Sequence, residues 1–141
     1  MSVVVDASLV VALLVPDERQ DAARDHLRRW LDGAAALHAP AVLSYEVANV
    51  LARLVFDCAL GLDEVRDIWD DLAALGIVLH PFELTRDGPE VAEIAARLRH
   101  RDATSSSYFC LARRLGTTVW TLDAALARNA SDMGLPVQHV S

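Results

Sequence analysis

The sequence predicts an α/β fold, a three-layer sandwich with helices on both faces of a central, mainly parallel sheet. Three observations carry this. Short β-branched runs alternate with amphipathic helical stretches along the whole chain. The first run, Ser2 to Val5, is apolar at consecutive positions, as a strand buried on both faces requires. Gly and Pro fall between the periodic segments rather than within a repeat or a linker, so residues 1–141 read as one domain, a length that suffices for a real core.

Each element follows from local pattern. After the strand Ser2–Val5, a helix from about Ser8 to Val15 is stopped by Pro16. A second helix runs from Asp17 to about Leu31, with Ala22, Ala23, Leu27, Trp30 and Leu31 as its apolar stripe and Gly33 as its stop. Leu37–Ala39 is a short strand. Leu43, Val47, Val50, Leu51 and Leu54 mark a long helix to about Cys58, which Gly61 is expected to close. Asp63 is the expected N-cap of a helix from Glu64 to Leu75, and Gly76 its C-terminal stop. Ile77–Leu79 is a strand bounded by Pro81. Val91, Ile94, Ala95 and Leu98 define a helix to about Arg99, and another runs from near Thr104 to Leu115, where Gly116 ends it. A strand over 117–121, a helix from Asp123 to Asn129 and a strand over 137–140 complete the alternation, which predicts parallel pairing through right-handed crossovers.

Composition excludes several functions. The 13 basic residues face 20 acidic ones, for a net charge of −7, so a nucleic-acid partner must be met locally rather than by a global positive field. All the basic residues are Arg. Without Lys there is no Schiff base, no P-loop lysine and no lysine beside the acidic pocket of a phosphotransfer domain. Two Cys, Cys58 and Cys110, form no C-x-x-C pattern, which argues for a reducing compartment and against structural zinc. The N-terminus turns acidic too early for a signal peptide, and no apolar run approaches the roughly 20 residues of a membrane span. A cytoplasmic location with no membrane association is expected.

Two predicted strands run into an acid at their carboxyl ends: Val3-Val4-Val5-Asp6 and Val119-Trp120-Thr121-Leu122-Asp123. That edge is where parallel α/β sheets collect ligands. Taken singly, each Asp is equally well read as a helix N-cap. Together they would repel one another unless a cation lies between them, and hard oxygen ligands suit Mg²⁺ or Mn²⁺. Glu46 borders the apolar stripe of its helix, with Asn49 and Arg53 at i+3 and i+7 on the same flank, and reads either as a solvated surface acid or as a third carboxylate of the same site.

The segments Val4-Val5-Asp6-Ala7-Ser8, Ser44-Tyr45-Glu46-Val47-Ala48-Asn49-Val50-Leu51, and Leu111-Ala112-Arg113-Arg114-Leu115-Gly116 followed by Trp120-Thr121-Leu122-Asp123 resemble the PIN-domain ribonucleases, specifically the VapC toxins of toxin–antitoxin pairs. The resemblance spans essentially the whole chain. It implies a PIN-like fold and a Mg²⁺-dependent endoribonuclease, with Mn²⁺ able to substitute, that cuts RNA by a metal-activated water. It also implies a homodimer and a cognate small antitoxin. By position, Asp6, Glu46 and Asp123 match family acids that bind metal and carry catalysis, while Ser8 and Thr121 match hydroxyls beside them; Asn49 is placed with these supporting residues.

One departure matters. The family carries a further Asp three residues before a Tyr and eighteen before the last acid, and counting from Tyr108 and from Asp123 both lead to Ser105. Asp102 is favoured as an imperfect metal-binding substitute if the helix starts early enough for the two positions to share a face; otherwise it is a cap or loop residue. A PIN-fold protein that binds RNA or an antitoxin with weak or lost nuclease activity is therefore the alternative. Arg97, Arg99 and Arg101 form a local basic cluster, either a solvated helix end or a resting place for RNA phosphate. The five His show no ligand spacing, and Ser105 to Ser107 lack a nucleophile-elbow pattern.

Overall fold

The computed structural model describes residues 1–141. The elements follow one another as β1 (Ser2–Val5), α1 (Ala7–Leu14), α2 (Gln20–Asp32), β2 (Ala36–Pro40), α3 (Val42–Phe56), α4 (Leu62–Ala74), β3 (Val78–His80), α5 (Leu84–Leu98), α6 (Thr104–Leu115), β4 (Val119–Thr121), α7 (Ala124–Asp132) and β5 (Val137–His139). The strands form one sheet in the order β3-β2-β1-β4-β5, and every pairing is parallel. β1 is central because Val3, Val4 and Val5 are all buried: consecutive residues point to opposite faces, so both faces must be covered.

α6 lies across β1, β2 and β4 with α5 on its outer side, while α1 packs on β4 and gathers α2, α3 and α4. One contiguous core joins these layers, with Phe109, Leu9, Leu43, Ile94, Val4 and Val119 fully buried. Fully parallel pairing puts all five strand carboxyl ends on one edge. The register sets Val5 beside Trp120, and the Asp6 amide donates to the Trp120 carbonyl at 3.2 Å, so the residues that leave β1 and β4 emerge side by side.

Several boundaries differ from expectation for identifiable reasons. Gly61 does not close α3, which ends at Phe56 with Asp57 as its C-cap. Gly61 is instead the N-cap of α4, its N–H donating to the Glu64 carboxylate at 3.1 Å, so Asp63 sits inside the first turn rather than capping it. α2 begins at Gln20, because the Asp17 carboxylate is engaged with the Arg19 amide and guanidinium in the preceding turn. α5 starts at Leu84, one and a half turns before Pro89; the Asp87 carboxylate accepts the Glu83 N–H at 2.8 Å and satisfies a donor at the helix start. Gly116 ends α6 in the left-handed conformation, φ 66°, as a C-terminal glycine should.

Candidate active site

Asp6 and Asp123 are both N-caps. The Asp6 carboxylate accepts the Leu9 N–H at 3.1 Å and starts α1, and that of Asp123 accepts the Leu126 N–H at 3.0 Å and starts α7. Capping and site formation are not alternatives here. A strand that turns at once into a helix leaves its cap residue at the sheet's carboxyl edge, and two adjacent strands do this in register. Asp6, Glu46 and Asp123 accordingly line one cavity of about 140 Å³, together with Ser8, Ser105 and Tyr108.

Hydroxyls fasten the two strands at this point. Ser8 Oγ donates to Asp6 Oδ1 at 2.7 Å, accepts the Leu122 N–H at 3.0 Å and lies 3.3 Å from Thr121 Oγ1. Thr121 is fully buried, and its Oγ1 accepts the Asp123 N–H at 3.0 Å. Glu46 comes from α3, on the flank expected, and Tyr108 of α6 donates to its Oε1 at 2.6 Å.

The electrostatics reflect crowded acids. Burial pushes the Asp6 carboxyl above the usual carboxylate range; the hydroxyls of Thr121 and Ser8 and the Leu9 amide pull it back, and the charge of Asp123 adds to the rise. Glu46 is also raised by burial, opposed by the Tyr108 hydrogen bond and reinforced by the charges of Asp6 and Asp102. Burial and the Glu46 charge push the Tyr108 phenol far above its ordinary value, so it remains a neutral donor.

Ser105 lies in the first turn of α6 and lines this cavity, but Asp102 does not. α6 begins at Thr104, so Asp102 is in the preceding loop, where its carboxylate accepts the Thr104 N–H at 3.0 Å. It borders a wider, adjoining cleft of about 510 Å³ that shares Ser8, Glu46 and Ser105 with the first and also contains Asn49, Asp17, Arg19 and Arg53. Arg97, Arg99 and Arg101 line neither space. Arg97 donates to the Met133 carbonyl at 2.7 Å and so ties α5 to the end of α7, and Arg99 is the left-handed C-cap of α5.

Sequence reasoning missed Tyr108 as the partner of Glu46, although its place one turn after Ser105 was the available signal. It also missed Asp17 and Arg19, which no motif marks. His38 and His80, on neighbouring strands, meet at 2.8 Å between ring nitrogens, a pairing invisible in their 42-residue separation.

The donor set at the strand edge is carboxylate and hydroxyl oxygen, without thiolate or imidazole, which is the chemistry of a hard divalent cation. No three His, Cys, Asp or Glu side chains are grouped closely enough to hold an ion among them. These oxygen donors suit a hard divalent cation that keeps part of its water shell better than a closed protein cage.

A parallel sheet with acids converging on its carboxyl edge defines the class. The PIN-domain family profile matches residues 3–132, and the chain belongs to that family. Among particular relatives, Ribonuclease VapC3 of Pyrobaculum aerophilum is 33% identical over 133 residues, covering 90% of this chain and 93% of that protein, so the resemblance to VapC proteins holds. Two crystal structures share the fold: VapC20 of Mycobacterium tuberculosis, described as a sarcin–ricin loop cleaving toxin (TM-score 0.68, 17% identity, covering 94% of this chain and 95% of that one), and FitAcB of Neisseria gonorrhoeae (TM-score 0.66, 18% identity, covering 99% and 96%). No helix is long and apolar enough to cross a membrane.

Proposed function

We propose that this protein is a Mg²⁺-dependent endoribonuclease, with Mn²⁺ as a substitute, acting as the toxin of a toxin–antitoxin pair in the cytoplasm. The observation that carries the reading is the meeting of Asp6, Glu46 and Asp123 in one cavity at the sheet edge, from three separate parts of the chain. Asp6, Glu46 and Asp123 would hold the cation, one or two of them directly and the rest through the waters it keeps, while Asp102 faces the adjoining wider cleft. A Mg²⁺ ion held there would supply Lewis-acid polarisation of a phosphoryl oxygen and would lower the pKa of a water in the cavity. Ser8 and Thr121 hold Asp6 and the Asp123 backbone in place, Tyr108 keeps Glu46 turned into the cavity, and Asn49 and Ser105 offer neutral polar groups to substrate or water. No protein nucleophile is required, the attacking oxygen coming from water, and a family-like product pattern would be a 5′-phosphate and a 3′-hydroxyl.

A small antitoxin and a second copy of the chain are the proposed protein partners. The surface of α3 and α4 supports a protein contact: an all-apolar groove includes Val55, Phe56, Leu62 and Trp69, with Phe56 87% and Leu62 76% exposed.

A second reading is favoured by two observations. Ser105 stands where the resemblance implies an acid, and no ready group of three ligands exists. On that reading the chain binds RNA or its antitoxin and cuts weakly or not at all. Incubation of the purified chain with RNA in Mg²⁺, Mn²⁺ or EDTA, beside Asp6→Asn, separates the two. Metal-dependent cleavage that Asp6→Asn abolishes is expected; RNA binding without cleavage in either metal would leave the binding module standing.

A further inference from the structure

We infer that Arg53, with Arg19 beside it, is a phosphate-contact site that guides the RNA strand along α3 into the carboxylate cavity. The inference rests on the nuclease reading and adds where the substrate backbone lies.

The cleft next to the acids contains only two cations, Arg19 and Arg53, against the carboxylates Asp17, Glu46 and Asp102. A polyanion approaching a chain of net charge −7 and a rim of acids is repelled unless fixed cations hold it locally. Glu46, Asn49, Val50 and Arg53 all line this cleft from α3, at successive turns of one helix face. Arg53 lies about 10 Å along the helix axis from Glu46, so it meets a phosphate farther along the strand rather than the one being cut. Asn49, midway, offers an amide to sugar or phosphate oxygen.

The two arginines differ in a way that assigns their roles. Arg53 is exposed and makes neither an ion pair nor a side-chain hydrogen bond, whereas six salt bridges occupy Arg19, Arg28, Arg86, Arg113 and Arg114. Its five donors are uncommitted and suited to bidentate phosphate contact. Arg19 is preset: its guanidinium is paired with Asp17 at 3.1 Å and reaches the Leu122 carbonyl at 3.5 Å, next to Asp123. That fixes it in the same cleft as Arg53, close to the backbone that leads into Asp123. The three arginines of the α5 end, by contrast, line neither cavity, and Arg97 is spent on the Met133 carbonyl.

The experiment measures binding of a 5′-fluorescent single-stranded RNA of mixed sequence by anisotropy between 50 and 200 mM salt. All variants carry Asp6→Asn so that the probe stays intact, and cleavage is followed in parallel in the wild-type background. Arg53→Ala is expected to weaken binding roughly fivefold, the upper end for an exposed ion pair, and to flatten the slope of log K against log salt by about 0.7, one single-strand phosphate contact. Arg53→Lys should recover part of the slope, and Arg19→Gln should weaken binding less than Arg53→Ala. Arg97→Ala and Arg101→Ala should leave the slope unchanged. Since the Arg53 side chain is exposed and makes no hydrogen bond or ion pair, its variants should melt with the parent. An unaltered slope for Arg53→Ala while the parent still cuts RNA would overturn the phosphate site alone; absence of both cleavage and binding in the parent would overturn the nuclease reading as well. Unchanged RNA affinity with lost affinity for a Glu-rich peptide would assign Arg53 to a protein partner and likewise overturn it.

Discussion

Removing the Tyr108 hydroxyl tests the electrostatic account of the acid cluster most directly. In Tyr108→Phe the buried ring stays and only the 2.6 Å bond to Glu46 is lost. A hydrogen bond to a charged group contributes about 1.5–3 kcal/mol. Glu46 is half-buried and faces a cavity that admits water, so the lower end applies, about 1.5 kcal/mol. At about 3 °C per kcal/mol for a chain of this size, the melting temperature should fall by about 5 °C at neutral pH. The loss should depend on pH with a definite sign. The Glu46 pKa is raised in the fold, so its ionisation costs stability as the pH rises from the unfolded carboxylate value through the folded one. Tyr108 opposes that cost by favouring the charged form. Without the hydroxyl the pKa rises further, so the penalty is full where wild-type Glu46 is ionised and fades below the carboxylate range, where Glu46 is protonated in both proteins. The assay is urea or thermal unfolding of both proteins from pH 4 to pH 8, beside the pH profile of RNA cleavage, whose acidic limb should move to higher pH in the variant. A stability difference constant across that range, or an unmoved limb, would refute the reasoning.

Asp6→Asn should abolish metal-dependent cleavage yet melt no lower than wild type at pH 7, because the amide oxygen still caps α1 while the charge whose ionisation is disfavoured by burial and by Asp123 is gone; a drop of several degrees in calorimetry would contradict this. Ser106→Ala should be neutral or raise stability, since the buried Ser106 hydroxyl has no partner and an unsatisfied group of this kind costs about 1–3 kcal/mol; a lower urea midpoint would reveal a hidden partner. Ser105→Asp should shift the Mg²⁺ titration of cleavage to lower concentration, as a carboxylate in the first turn of α6 adds charge to the cavity at the positive helix end. Asp102→Asn, in the wider cleft only, should shift it little; complete loss of activity in that variant would make Asp102 a ligand after all.

The two strand-end acids could be read from sequence because the information is local. A β-branched run that stops at Asp and turns into a helix determines both the strand and its cap, and Val3-Val4-Val5-Asp6 and Val119-Trp120-Thr121-Leu122-Asp123 each carry it within five residues. The all-parallel sheet followed from strands that alternate with helices, since parallel neighbours need a crossover. Motif resemblance, not periodicity, singled out Glu46, and whether it was a surface acid or a cavity wall was decided only when α3 packed against α1 and Tyr108 arrived from α6. The same holds for Asp102, which would reach the carboxylate cavity beside Ser105 only if α6 started early enough to carry it; the helix starts at Thr104, and the acid is left in the loop on the wider cleft. Gly61 shows the limit from the other side: glycine marks a break in any helix-rich sequence, but whether it ends one helix or begins the next depends on a side-chain acceptor three residues on. The arginines are the clearest case. Sequence clustering pointed to Arg97, Arg99 and Arg101, whereas the fold leaves these outside both cavities and brings Arg19 and Arg53 into one cleft, from segments 34 residues apart. Charge proximity along a chain says nothing about which face of the sheet a side chain reaches, because that is set by helix packing over long range, and long-range packing leaves no local pattern to read.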